Sequence, residues 1–278
     1  MEWKLSAFAD EYEESFEKQC EALNRFGFPS IEIRGVDGKN VSTLTKEEVE
    51  NVKRILRSQN ISVSAIGSPI GKVKLDADLD AHLAMAKRTF ETASELGAKN
   101  VRVFSFYLPD GKNREECWGQ VCDELEKLIA LADTYGITLC HENEALIYGE
   151  SPENCLRLLE HFGGKMKCVF DMGNFVLDGY NPMEAYKLLN GYVEYFHVKD
   201  ALYAGAIVPA GKGEAQIQEI LTLHKLSAKK DAFLTLEPHL QTFSGLNALV
   251  GKAFENPYKY ENGQVAFEDA VKHLKALL

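Results

Sequence analysis

The feature that most constrains this chain is a repeated alternation. Eight short runs of mainly apolar and β-branched residues, at 4–9, 30–36, 62–68, 101–107, 138–144, 166–172, 194–200 and 233–239, read as strands covered on both faces. Eight segments of helical character follow them, at 14–26, 45–58, 78–96, 114–135, 151–162, 181–189, 216–227 and 265–278. The punctuation agrees with that division. Thr45 followed by Glu48 is a capping-box pattern, Ser151-Pro152 and Asn181-Pro182 open helices, and Gly27, Gly97, Gly136 and Gly163 close them. Strands that alternate with helices imply a parallel sheet with right-handed crossovers. Eight such units in 278 residues fit an α/β fold of one closed (β/α)8 TIM barrel, a single domain over 1–278. An open doubly wound sheet fits less well, because Ser6-Ala7-Phe8-Ala9-Asp10 lacks a dinucleotide-binding glycine fingerprint.

Composition narrows the partners. A net charge of −11 argues against nucleic acid, whose phosphates need a basic footprint. No run of about 18 apolar residues offers a membrane span. The first ten residues carry Glu2 and Lys4 and no signal-peptide stretch. Cys20, Cys117, Cys122, Cys140, Cys155 and Cys168 form neither a disulfide framework nor a paired zinc motif, so reduced thiols in a cytoplasmic protein are expected.

Barrel chemistry sits where strands end, on the C-terminal face. Four successive strand ends are rich in ionisable groups: His141-Glu142-Asn143-Glu144, Asp171-Met172-Gly173-Asn174, His197-Val198-Lys199-Asp200 and Glu237-Pro238-His239. Strand parity puts Glu142 with Glu144, His197 with Lys199, and Glu237 with His239, while His141 faces the helices. If Glu142, Asp171, His197 and Glu237 all point inward, three carboxylates and an imidazole converge at one depth. Like carboxylates repel and their desolvation is costly, so a divalent cation is expected to resolve the conflict. An oxygen-rich set with one nitrogen suits Mn²⁺, Mg²⁺ or Co²⁺. Glu32, Arg34 and Arg102 are charges inside apolar strands and should pair, Glu32 with Arg102 across the barrel. The segments 67–77 and 240–263 are long enough to cover a pocket, and the first carries Lys72 and Lys74.

These strand-end segments resemble the sugar phosphate isomerase/epimerase family of the xylose isomerase-like barrel superfamily, which also contains endonuclease IV. Pro209-Ala210-Gly211-Lys212-Gly213-Glu214 is similar to that family's glycine-rich turn after strand seven, and Glu32 to its acidic residue on strand two. The resemblance covers nearly the whole chain. It implies Glu142, Asp171, His197 and Glu237 as ligands of one divalent ion, Mn²⁺ foremost, with Mg²⁺, Co²⁺ or Zn²⁺ as alternatives. It also implies Glu142 and Glu237 as an acid–base pair acting on a small carbohydrate. Lys199, His239, Asn174 and Glu144 are the substrate-binding candidates. The ketose 3-epimerase branch usually has a histidine where Asn174 stands, and an amide binds a hydroxyl but shuttles no proton. Seven histidines are too few for the three-metal endonuclease branch. A metal-dependent isomerase or epimerase working through an enediolate is therefore expected. A lyase or dehydratase acting on a keto-sugar or 3-keto glycoside is the alternative, and a non-catalytic sugar-binding barrel a third. Homo-oligomerisation is left open.

Overall fold

The computed structural model describes residues 1–227, 230–240 and 258–278. Eight parallel strands form one sheet: β1 (Trp3–Ala7), β2 (Ser30–Ile33), β3 (Ser62–Ile66), β4 (Asn100–Val103), β5 (Thr138–Glu142), β6 (Met166–Asp171), β7 (Val193–Val198) and β8 (Ala232–Leu236). Hydrogen bonding runs in the order β1-β8-β7-β6-β5-β4-β3-β2, and β1 also lies beside β2, so the ring is nearly closed. The expected strands and barrel are present, each ladder being somewhat shorter than its apolar run.

The helices are α1 (Phe16–Phe26), α2 (Lys46–Gln59), α3 (Leu79–Glu95), α4 (Arg114–Asp133), α5 (Pro152–His161), α6 (Met172–Leu177), α7 (Pro182–Leu189), α8 (Ile217–Ser227) and α9 (Gly263–Ala276). The capping box forms as its residues dictate: Thr45 Oγ1 accepts from the Glu48 amide at 3.3 Å, and the Thr45 amide donates to Glu48 Oε2 at 2.8 Å. Gly27 closes α1 at φ 70°, a left-handed position that costs glycine little. None of the helices is long and apolar enough to cross a membrane, among the described residues.

Strand parity divides the core. Ile31, Ile33, Val101, Val103, Phe196, Val198, Leu234 and Leu236 belong to the large cluster shared with helix residues such as Phe16, Val52, Leu125 and Phe267. Ala65, Cys140, Val169 and Tyr195 form a separate small cluster, with Phe233 against it, that plugs the barrel interior. Polar groups lie above this plug. Ser6 and Ser64 share a 2.7 Å hydrogen bond, and Tyr195 donates to Glu32 Oε1 at 2.9 Å.

The segment 67–77 is laced to the residues that follow β4 rather than standing free as a cover. The Phe104 amide donates to the Ile70 carbonyl (2.8 Å), the Tyr107 amide to Val73 (3.0 Å) and the Leu75 amide to Tyr107 (3.1 Å). Of the second expected cover, residues 241–257 lie outside the described residues. Gly71 is the tightest point of the first segment. Its φ is +87°, and an added Cβ would stand 2.0 Å from the Phe104 carbonyl oxygen. Gly71→Ala is expected to destabilise the fold by about 3 kcal/mol or more through backbone strain and clash. Gly119→Ala, in α4 with nothing within 4 Å of the new Cβ, should be neutral or stabilise by up to about 1 kcal/mol. Denaturant midpoints of the two variants check the contrast.

Candidate metal centre and active site

Each functional side chain is set by its place at a strand end. Glu142 and Asp171 are the last residues of β5 and β6, and His197 is the penultimate residue of β7. Glu237 follows β8, its amide donating to the Val198 carbonyl at 3.1 Å. In register, Asp171 lies opposite His197, and His197 opposite Thr235, two positions before Glu237. The four therefore converge, all buried, with one ligand-type atom from each lying within 4.8 Å of the others. This is the grouping expected from strand parity.

His197 is the hub. Its Nδ1 lies 2.8 Å from Glu142 Oε1 and 3.3 Å from Glu237 Oε2, and its Nε2 lies 3.1 Å from Glu32 Oε2. Phe8 meets the imidazole edge-on, with ring centroids 5.1 Å apart. Tyr195 in turn holds Glu32. Glu32 thus backs the imidazole, fixing its orientation from behind as carboxylates do for metal-binding histidines.

The expected conflict among the carboxylates is resolved within the chain. Arg102 NH1 lies 3.2 Å from Glu142 Oε2 and 3.8 Å from Glu237 Oε1. Arg34 reaches Glu237 Oε1 at 3.0 Å, Asp10 at 2.8 Å and Glu11 at 3.2 Å. Lys199 Nζ lies 2.9 Å from Asp171 Oδ2 and 3.2 Å from Glu237 Oε2. These contacts correct one expectation. Glu32 pairs with His197 and not with Arg102, because Arg102 is drawn to the glutamates of β5 and β8. Glu144 pairs with Lys72 at 2.9 Å.

Asp171 has a double task that its strand position does not reveal. It ends β6 and also caps α6, its Oδ1 accepting from the Asn174 amide at 2.8 Å. Oδ2 is left for the site. Asn143, which sequence reasoning passed over, locks this junction. Its Nδ2 donates to the Asp171 carbonyl at 3.0 Å, and its Oδ1 accepts from the Asp171 amide at 3.1 Å. Asn174 is held at both ends: its Oδ1 accepts from Lys199 at 3.0 Å and its Nδ2 donates to the Asn143 carbonyl at 2.9 Å. His239 lies 3.3 Å from Glu237 Oε1 and 3.4 Å from Glu11 Oε1, at a left-handed φ of 47°. His141 faces outward as expected and meets Ser105 Oγ at 2.9 Å.

Asp200 explains the glycine-rich turn. One carboxylate gathers the amides of Ala201, Gly211, Gly213 and Ala215 at 2.8–3.1 Å. That closes the 209–215 turn beside the small hairpin of Asp200–Leu202 and Ala206–Val208. Lys72, Glu144, Leu177, Lys199, Ile207 and His239 line the pocket above the ligand-type residues.

Neighbouring charges separate carboxylates of one chemical kind. Burial opposes ionisation of Glu142, yet His197 and Arg102 hold its carboxyl down at about 2. Glu237 is likewise held well below the usual range against its burial, by Lys199, His239 and His197. Asp171 is pushed up to about 7, since burial together with Glu142 and Glu237 outweighs Lys199. Glu11 is pushed up to about 8 by burial, against the pull of Arg34. Burial resists a charge on His197, but Glu142, Glu32 and Glu237 raise it well above an ordinary histidine.

The donor set fits a divalent cation. Three carboxylates and one imidazole nitrogen face one another, and Glu142 Oε2 and Glu237 Oε2 are held by ion pairs alone, with no hydrogen bond of good geometry. The ion itself is not specified by these residues.

The model of the xylose isomerase-like TIM barrel family matches residues 20–264. Solved structures share the fold at low identity. A xylose isomerase-like TIM barrel protein from Mycobacterium smegmatis, in complex with magnesium, has a TM-score of 0.71 and 16% identity over 99% of this chain and 96% of that one. D-psicose 3-epimerase from Clostridium cellulolyticum H10, solved with D-tagatose, gives 0.76 and 13% over 99% and 98%. The probable 3-DHS dehydratase of petrobactin synthesis from Bacillus anthracis gives 0.73 and 16% over 99% of both. No curated protein matches the sequence significantly.

The charge pairing has a consequence for stability. His197 and Arg102 hold the Glu142 carboxyl below the ordinary 4.5 of a glutamate against its burial, so its contribution is present above that pH and is lost as the pH falls toward about 2. Glu142→Gln is expected to flatten the acid limb of the stability–pH curve in that window. Arg102→Met, which leaves a buried glutamate without its cation, should cost about 3–5 kcal/mol at neutral pH. Urea unfolding across pH checks both.

Proposed function

The chain belongs to the xylose isomerase-like TIM barrel family, and from that premise we propose that it is a divalent-metal-dependent sugar isomerase or epimerase. The observation that carries this is the placement of Glu142 and Glu237. Both carboxylates approach the same imidazole nitrogen, at 2.8 and 3.3 Å, from strands three apart around the ring. Glu142, Asp171, His197 and Glu237 would hold the ion, which when bound supplies Lewis acidity that polarises a hydroxy-carbonyl substrate and acidifies the adjacent C–H.

The chain's own residues then handle the proton. Both glutamates are held ionised, so either can accept a proton from carbon without first losing one. The cations that keep them ionised also weaken them as bases, so a proton once taken is readily passed on. Removal by one and return by the other, on opposite faces of an enediolate, inverts the centre. Return to the neighbouring carbon isomerises the sugar. Lys199, His239 and Glu144 line the pocket where substrate hydroxyls would lie, and Asn174 sets Lys199 through its side-chain oxygen. Ile207 and Leu177 add apolar surface to the same pocket. The fold is shared with D-psicose 3-epimerase, which is in keeping with this reading.

A second reading has its own support. Both ends of the Asn174 side chain are engaged, and an amide moves no proton. A carbanion formed here could therefore collapse by losing a β-substituent, as in a lyase or dehydratase. The probable 3-DHS dehydratase shares the fold.

Proton exchange separates these readings. The protein is incubated with Mn²⁺ and a panel of keto and aldo sugars in D₂O. Deuterium uptake at carbon without release of a group is expected; release of water or an aglycone favours elimination, and saturable binding with no exchange sinks an enzymatic role. On the sugar so identified, Glu142→Gln and Glu237→Gln should retain much of the metal while losing on the order of 10²-fold or more in turnover. Asp171→Asn should act mainly through weaker metal binding, partly rescued by excess Mn²⁺. Metal content measured beside turnover distinguishes the two behaviours.

A further inference from the structure

Among the described residues, Lys199 is the one whose ammonium lies among the oxygens of two ligand-type carboxylates at once. Its Nζ is 2.9 Å from Asp171 Oδ2 and 3.2 Å from Glu237 Oε2, with a third contact to Asn174 Oδ1 at 3.0 Å. Arg102 also reaches two of the ligand-type residues, but its second contact is 3.8 Å, beyond hydrogen-bonding distance. Lys199 is 3% exposed and comes from β7's own end, two residues beyond His197. Asp171 Oδ1 is occupied by the amide of Asn174. Oδ2 is therefore the oxygen that Asp171 can offer a metal, and it is the oxygen that Lys199 holds.

Two cations drawing on the same oxygens in a buried pocket oppose each other strongly, because little water screens them. The side chain is built so that its head can yield while its stem stays. The stem runs against Gly173, where an added Cβ would stand 2.7 Å from Lys199 Cγ and 2.9 Å from its Cβ. Beyond the carboxylates the head faces the pocket that Glu144 and Lys72 line.

On the metal centre proposed above, we infer that Lys199 is an internal competitor of the divalent ion. Its ammonium balances Asp171 and Glu237 in the ion-free protein and is displaced toward the substrate pocket when the ion binds. The intact protein therefore binds the ion more weakly than the donor set alone would. By reciprocity, whatever draws the ammonium into the pocket tightens the metal, and an anionic or oxygen-rich substrate is the group placed to do so.

The test is Mn²⁺ affinity, read from free Mn²⁺ by electron paramagnetic resonance, for the unaltered protein and for Lys199→Met, Lys199→Gln and Lys199→Arg. The neutral variants are expected to bind Mn²⁺ roughly tenfold more tightly or better, the scale for removing a unit charge a few ångströms from a divalent ion. Their melting temperature should also rise more on Mn²⁺ addition than that of the unaltered protein. Lys199→Arg, which keeps the charge, should show no tightening. Lys199→Gln keeps a donor for Asp171 and covers the case in which Lys199→Met does not fold. Equal or weaker binding by the folded neutral variants overturns the competition and leaves the metal centre standing. Absence of Mn²⁺ binding from the unaltered protein and every variant overturns the metal centre itself.

Discussion

Burying several carboxylates at one barrel mouth depends on matching each with a cation, and the rest of this structure is arranged around that requirement. Glu142 meets Arg102, Glu237 meets Arg34, Asp171 meets Lys199, and His197 stands between Glu142 and Glu32. The two arginines come from β4 and from just beyond β2, while their carboxylates come from β5 and β8. Arg102 meets Glu142 on the neighbouring strand, whereas the Arg34–Glu237 pair spans β1 and joins the two ends of the sheet order, so it forms only when the sheet curls. Phe8 lies beneath both guanidiniums, at 4.4 Å from Arg34 and 5.2 Å from Arg102, and faces His197 with its edge. One aromatic ring thus packs against both cations and the imidazole, and covers them from β1's side.

Strand parity made much of this legible in the amino-acid sequence. A residue's parity states whether it faces the barrel or the helices, and so Glu142, His197 and Glu237 could be placed inward while His141 was placed outward. Parity states depth but not direction around the ring. That is why Glu32 could be expected to pair, and Arg102 too, while the choice of partner was open. Long side chains span several strands, and the winner is set by where the glutamates stand. Helix α6 was missed for a different reason. Residues 166–172 continue an apolar run, and six residues carry too little periodicity to announce a helix; only the Asp171 cap, seen in three dimensions, marks the change. Glu11 and Asn143 gave no signal, since each acts through a loop or backbone contact that chain-local patterns do not encode.

Asp171 and Glu142 show how the same chemistry is driven apart by surroundings. Each is fully buried, and each has a cation within about 3 Å. Glu142 also has the imidazole, and stays ionised. Asp171 is pushed up by its burial first and then by two ionised glutamates nearby, to about 7. Divergent carboxylates in one cleft are what an acid–base site requires, though structural ion networks produce them as well.

Pre-compensation also changes what a metal ion means to this fold. In a centre of bare carboxylates the ion would hold the structure together, as structural metals do. Here Arg34, Arg102 and Lys199 already perform that service, so the barrel does not depend on an ion for its charge balance. An arriving ion gains the carboxylate oxygens only by weakening contacts the protein has with itself, and its net affinity is the difference between the two. The arginines are anchored by further partners, Arg34 by Asp10 and Glu11, and Arg102 by the Ser68 carbonyl. Among the described residues, Lys199 has only Asn174 as a hydrogen-bond partner beside the two carboxylates. The three cations are therefore unequal in what it costs to move them, and the lysine is the one whose displacement leaves the barrel's cross-links intact.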